Sequence, residues 1–94
     1  MPRGPRFAFQ NAFYHVFNRG LNKQDIFLAD EDYEFFLRRL YGLKQKYDHS
    51  IYAICLMPNH FHISVRTRKT PISKIMSSLT TSYSMYFNRK YQHF

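Results

Sequence analysis

From His60 to Arg68 the chain alternates: Phe61, Ile63 and Val65, followed by Thr67, take one set of positions, and His60, His62, Ser64, Arg66 and Arg68 take the other. A repeat of two is the mark of a β-strand whose side chains point to opposite faces in turn. One of those faces must be covered. The other must stay open, because two histidines and an arginine do not enter a core unpaired. The chain is therefore restricted to a layered fold in which an antiparallel sheet is covered on one side.

The remaining segments fill in that frame. Phe13–Arg19 alternates in the same way and predicts a first strand, with Phe13, His15, Phe17 and Arg19 on one face and Tyr14, Val16 and Asn18 on the other. Gly20 to Lys23 interrupts it as a loop. The spacing of Tyr33, Phe36, Leu37, Leu40, Leu43 and Tyr47 predicts a helix over 30–47, with Asp30 as its N-cap and Glu31 and Asp32 at its positive end. Ser50–Met57 is apolar on both faces and reads as a strand covered on at least one face and flanked by others. Its Cys55, the single cysteine, reads as a small buried hydrophobe. Pro58 and Asn59 suit a tight turn, so this strand and the His60 strand form an antiparallel hairpin. Thr70 is the expected cap of a second helix, with Pro71 at its first position. That helix runs to about Arg89 and buries Ile72, Ile75, Met76, Leu79, Tyr83 and Tyr86, with Ser77, Ser78, Thr80, Thr81 and Ser84 off the stripe.

The order strand, helix, strand, strand, helix is that of a ferredoxin-like split β-α-β fold, an α+β sandwich with both helices on one face. Ninety-four residues make one domain with one core. The order calls for one more strand, and the sequence reaches Phe94 where that strand would begin, so the last strand and whatever follows it are expected to be missing. A bare sheet edge invites a second chain, and a homodimer is expected. No run of 18 apolar residues exists to cross a membrane. Met1–Arg6 is basic, holds two prolines and precedes no apolar signal core, so it reads as an arm and not a secretion signal. One unpaired cysteine fits the reducing cytoplasm.

Charge points to the partner. The net charge is +8, and all six acids lie between Asp25 and Asp48. That segment holds six acids and four bases, a sum of −2, so the rest of the chain carries +10. A surface this one-sided attracts a polyanion, because displaced counterions favour binding, and 19% aromatic residues supply rings for unpaired bases. The candidate phosphate contacts are Arg19, Asn22 and Lys23 after the first strand, Arg66, Arg68 and Lys69 at the end of the His60 strand, and Arg89 and Lys90 closing the second helix. A solvated surface is the alternative for any one of them.

His60 and His62 project from one face of their strand with Cα atoms roughly 6.5–7 Å apart, which lets both rings reach one divalent ion. Imidazole suits zinc, manganese, iron, cobalt and nickel. The alternative is two half-exposed histidines with no ligand. A catalytic metal usually needs a third protein ligand. His15 is the best placed candidate, although a histidine satisfied in the core is the favoured reading for it. His49 and His93 lie at element ends, and the acids lie too far away.

Three stretches carry a family resemblance: Tyr14-His15-Val16-Phe17-Asn18-Arg19-Gly20, Ile26-Phe27-Leu28 ahead of the acidic helix start, and Leu56-Met57-Pro58-Asn59-His60-Phe61-His62-Ile63. They resemble the HUH-type single-tyrosine transposases, and within them the REP-associated tyrosine transposases, as does Ser82 to Tyr91. The resemblance covers nearly the whole chain in the right order. It implies nicking and rejoining of single-stranded or hairpin DNA. His60 and His62 would hold manganese or magnesium against the scissile phosphate, and a tyrosine hydroxyl would form a 5′-phosphotyrosine. Manganese is the better expectation, since magnesium prefers oxygen ligands. The family's nucleophilic tyrosine and a further polar ligand four residues after it lie on a later helix. Here four residues after Tyr83 is Phe87 and four after Tyr86 is Lys90, so neither tyrosine fits, and the chain by itself is expected to be inactive. Two other functions fit the same residues: a non-catalytic nucleic-acid-binding regulator derived from a transposase, and a small metal-dependent hydrolase using His15, His60 and His62.

Overall fold

A computed structural model describes residues 12–20 and 24–91. The element order is β1 (Phe13–Arg19), α1 (Asp30–Lys46), β2 (His49–Met57), β3 (His60–Thr67) and α2 (Ile72–Tyr91). The three strands form one antiparallel sheet in the order β1-β3-β2. The strand with the cleanest alternation is therefore the central one. Both helices lie on its apolar side, where Phe61, Ile63 and Val65 meet Phe27, Phe36, Leu40, Leu43, Leu79 and Tyr83 in one core. This is the α+β split β-α-β architecture that the order of elements implies.

Within this frame β2 differs from its expected place. It is an edge strand, with β3 on one side only. Its register slips between Ile51 and Ala53, so Tyr52 is an extra residue in the ladder. Ile51 pairs with inward Val65, but Ala53 pairs with outward Ser64, so Tyr52 and Ala53 both face out. A bulge of this kind reverses the sense of everything after it. Ile54 and Leu56 turn inward opposite Ile63 and Phe61, and Cys55 turns outward opposite His62. Cys55 is thus exposed, not buried as its apolar neighbourhood suggests.

The helix ends also differ in detail. Asp30 is the first residue of α1 and Ala29 is its N-cap. The capping side chain is Asp32, whose Oδ2 accepts the Leu28 and Ala29 amides at 2.8 and 3.0 Å. Asp32 is fully buried. Its carboxylate also accepts the Tyr86 hydroxyl at 2.7 Å, the Tyr91 hydroxyl at 2.6 Å and Lys90 Nζ at 3.0 Å, which binds the start of α1 to the end of α2. Burial alone would raise its pKa, but the hydrogen bonds from Tyr91, Tyr86, Lys90 and the Leu28 amide together hold it well below the usual carboxylate range. In α2 the Pro71 carbonyl, one residue before the helix, accepts the Lys74 amide at 3.1 Å. The helix runs to Tyr91, slightly past Arg89. Among the described residues no helix is long and apolar enough to cross a membrane.

Candidate metal and nucleic-acid site on the open sheet face

The uncovered face carries residues from all three strands. Cross-strand pairing sets Arg19 beside His60, Phe17 beside His62, His15 beside Ser64 and Phe13 beside Arg66. On the other side Met57, Cys55 and Ala53 flank His60, His62 and Ser64. The paired histidines therefore sit on the middle strand, at the end nearest the β2–β3 turn.

That turn is held by the chain that follows β1. The Pro58 carbonyl accepts the Ile26 and Phe27 amides at 2.7 and 3.1 Å, and the Asn59 carbonyl accepts the Gly20 amide at 2.8 Å. Gly20 cannot carry a side chain here, because a Cβ would lie 2.1 Å from the Gln24 carbonyl oxygen. The Asn59 side chain completes the arrangement, with Oδ1 2.8 Å from His60 Nδ1.

His62 is held in a comparable way from the opposite side. Its Nδ1 lies 3.2 Å from His15 Nε2, and His15 Nδ1 lies 3.3 Å from Ser64 Oγ. His15 is thus exposed on the sheet face, which overturns the reading of it as a core histidine. The residues of β1 that pack on the core are its sequence neighbours Tyr14 and Val16. The His60 and His62 rings stand edge to face with centroids 5.3 Å apart. Phe17 lies against both, at 5.7 and 4.8 Å, and the Arg19 guanidinium lies over Phe17 at 5.4 Å. Among the described residues no three His, Cys, Asp or Glu side chains converge as metal ligands.

The basic residues divide. Arg19 and Arg66 stand on the open face with the histidines. Arg68 is 3.5 Å from Asp48 in a surface ion pair. Lys69 and Arg89 are exposed outside the sheet. Lys90 is engaged at the opposite side of the molecule, 2.7 Å from Glu31 and 3.0 Å from Asp32, and these carboxylates raise its pKa. Asn22 and Lys23 lie outside the described residues, as do His93 and the Met1–Arg6 arm.

The α2 tyrosines are on the covered side. Tyr83 is buried and donates to the Ile26 carbonyl at 2.5 Å, and its pKa is raised, by burial first and by the Asp32 charge second. Burial, then the hydrogen bond to Asp32, raises that of Tyr86, and the hydrogen bond to Asp32 raises that of Tyr91. His49 is buried away from the site, with its Nδ1 at the Tyr47 carbonyl and its pKa lowered chiefly by burial. The alternation of β1 already sets His15 and Phe17 on one face, with His15 the candidate third ligand; the support from Asn59 and Gly20 is what the sequence does not give, apart from the Pro-Asn turn before His60.

The sequence profile of the IS200-like transposases matches residues 8–94. The chain belongs to that family. Among solved structures, a REP-associated tyrosine transposase bound to a REP hairpin is similar with a TM-score of 0.70 and 13% identity, over 92% of this chain and 53% of that one. A candidate transposase from Deinococcus radiodurans is similar with a TM-score of 0.67 and 17% identity, over 99% of this chain and 71% of that one. The chain therefore spans about half the length of the REP-associated transposase. No curated protein matches. At these identities the likeness of the structures is one of fold, and it places this IS200-like transposase domain on the same architecture.

Proposed function

We propose that residues 1–94 form the N-terminal portion of a single HUH domain, which holds a divalent cation and single-stranded or hairpin DNA for nicking and rejoining. The observation that carries this is the hydrogen bonding of the histidine pair. Asn59 Oδ1 is an acceptor, so His60 Nδ1 donates to it and keeps its lone pair on Nε2. His62 Nδ1 has a matching acceptor in His15 Nε2 when His15 donates from Nδ1 to Ser64. Both imidazoles then offer Nε2 to one cation, each ring oriented by a neighbour, which is the usual outer shell of a metal-binding histidine. The donors are imidazoles without a carboxylate, which suits manganese better than magnesium.

The bound cation would supply Lewis-acid polarisation of the scissile phosphate. The chain's own part is to hold DNA beside it: Arg19 and Arg66 supply charge on the same face, and Phe17 supplies an aromatic wall. Covalent transfer needs a hydroxyl that attacks phosphorus while the bond to the 3′ oxygen breaks, leaving a 5′-phosphotyrosine and a free 3′-hydroxyl. Tyr83, Tyr86 and Tyr91 are poor candidates, since each donates to an acceptor on the covered side and each is held protonated. These 94 residues by themselves should leave hairpin DNA uncut in the presence of manganese. A three-histidine hydrolase is less well supported, because His15 Nε2 is turned to His62 and not toward a shared ligand position.

The test is manganese binding by titration calorimetry or the Mn(II) electron paramagnetic resonance signal, wild type against His60→Ala. Loss of binding in the variant is expected. An unchanged affinity would remove the metal from this reading and leave the DNA-binding regulator.

A further inference from the structure

Away from the histidines, the open face ends in an aromatic pair that the metal chemistry does not use. Phe13 on β1 and Tyr52 on β2 stack across β3 with centroids 5.3 Å apart and an interplanar angle of 12°. They are among the most exposed large apolar side chains described, at 58% and 57%. Tyr52 is the extra residue of the β2 bulge and faces out beside Ala53. Bulges that re-aim a side chain are common beside functional sites. Arg66 is the cross-strand neighbour of both Phe13 and Ser50, which puts it on β3 between the two strands that carry the rings. Arg66 is exposed and makes no ion pair with an acid among the described residues.

We propose that Phe13 and Tyr52 form a stacking platform for an unpaired base of single-stranded DNA, with Arg66 on the adjoining phosphate. Two exposed rings beside a free guanidinium are the elements that single-strand binders combine, a π-face for the base and a cation for the backbone. The charge favours nucleic acid over an apolar partner: outside Asp25–Asp48 the chain carries ten bases and no acid. The platform is continuous with the histidine pair along β3, with Ser64 between them. A strand lying along β3 would thus have one phosphate at the histidines and a base parked four residues away, which fixes its direction and register. The inference rests on the DNA-holding role proposed above.

The experiment uses the full chain in EDTA, so that the metal plays no part. Binding of a short oligothymidylate is compared with that of an abasic deoxyribose-phosphate oligomer of equal length. Wild type is expected to prefer the base-bearing strand about ten-fold, from the usual strength of aromatic stacking on one base. Phe13→Ala and Tyr52→Leu should lose that preference and Tyr52→Phe should keep it. Arg66→Ala should lower the slope of log affinity against log salt by about one, whereas Phe13→Ala should leave it unchanged. A 2-aminopurine base in the strand gives a second readout: its fluorescence should be quenched by wild type and by Tyr52→Phe, and not by Tyr52→Leu. Equal affinity of wild type for the two oligomers overturns the platform alone, leaving phosphate binding in place. Absence of binding to either overturns both the platform and the DNA-holding role. A Phe13→Ala variant that splits a dimer without altering the base preference assigns the rings to a second copy of the chain and overturns the platform.

Discussion

The two faces of the sheet handle polar groups in opposite ways. On the covered face Asp32 is buried, and its two oxygens accept from two amides, two tyrosine hydroxyls and a lysine. On the open face His60 and His62 each have one ring nitrogen engaged by a neighbour. The first pattern leaves the group no unused capacity, as burial requires. The second orients a ring and leaves half its capacity for something not in the chain. Aromatic residues divide likewise. Phe27, Phe36, Phe61 and Tyr83 pack ring to ring in the core, while Phe13, Phe17 and Tyr52 stand in the open beside histidine or arginine. The saturated Asp32 reads as stability and the half-engaged His60 and His62 as the candidate site, with His49, buried with its Nε2 unpartnered, the exception on the covered side.

The largest effect expected from this contrast is on the covered face. Asp32→Ala should destabilise the fold by about 3 kcal/mol, the scale of breaking a buried charge cluster, as measured by chemical denaturation. It should leave manganese affinity unaltered, and a parallel loss of metal binding would blur the division of the faces. The same residue sets a pH dependence. Its native pKa lies below the unfolded value of about 3.9, so on acidification the unfolded chain takes up the proton first. Stability should therefore be complete above about pH 5 and fall as pH drops through 4 and below. In the Asp32→Ala variant that part of the acid sensitivity should be absent.

A smaller effect belongs to the open face. His15→Ala should weaken manganese binding about 10- to 100-fold, the usual cost of losing an outer-shell partner, with little change in melting temperature. His15→Gln keeps an acceptor for His62 Nδ1–H and should recover part of the loss. If His15→Ala binds manganese as wild type does, the histidine relay has no orienting role. The smallest effect sharpens the boundary between the faces. Cys55→Ser should change stability by less than about 0.5 kcal/mol, as for other exposed positions, whereas a buried thiol would make the change costly.

Much of the architecture was legible in the chain alone, and for one reason: alternation and helical stripes are local. Phe61, Ile63 and Val65 against His60, His62 and Ser64 predict one covered and one open face, and the helices follow from Phe36, Leu40, Leu43, Ile75 and Leu79. The histidine pair was legible too, because a spacing of two on a strand fixes a shared face. The surroundings of that pair were not, since they come from residues far apart in sequence. His15 is 47 residues from the His62 ring it meets, and Gly20 hydrogen-bonds to Asn59 across a comparable gap.

The sequence by itself determined which segments are strands and helices, which side of β3 is apolar, and that the chain is basic outside one acidic stretch. These are properties of neighbours along the chain. Only the tertiary structure decided that β3 is central, that His15 lies in the open, and that Cys55 faces the histidines' side. The reason is the β2 bulge and the strand order: a single extra residue between Ile51 and Ala53 reverses the facing of all that follows, and no local pattern in an all-apolar strand records where that residue sits.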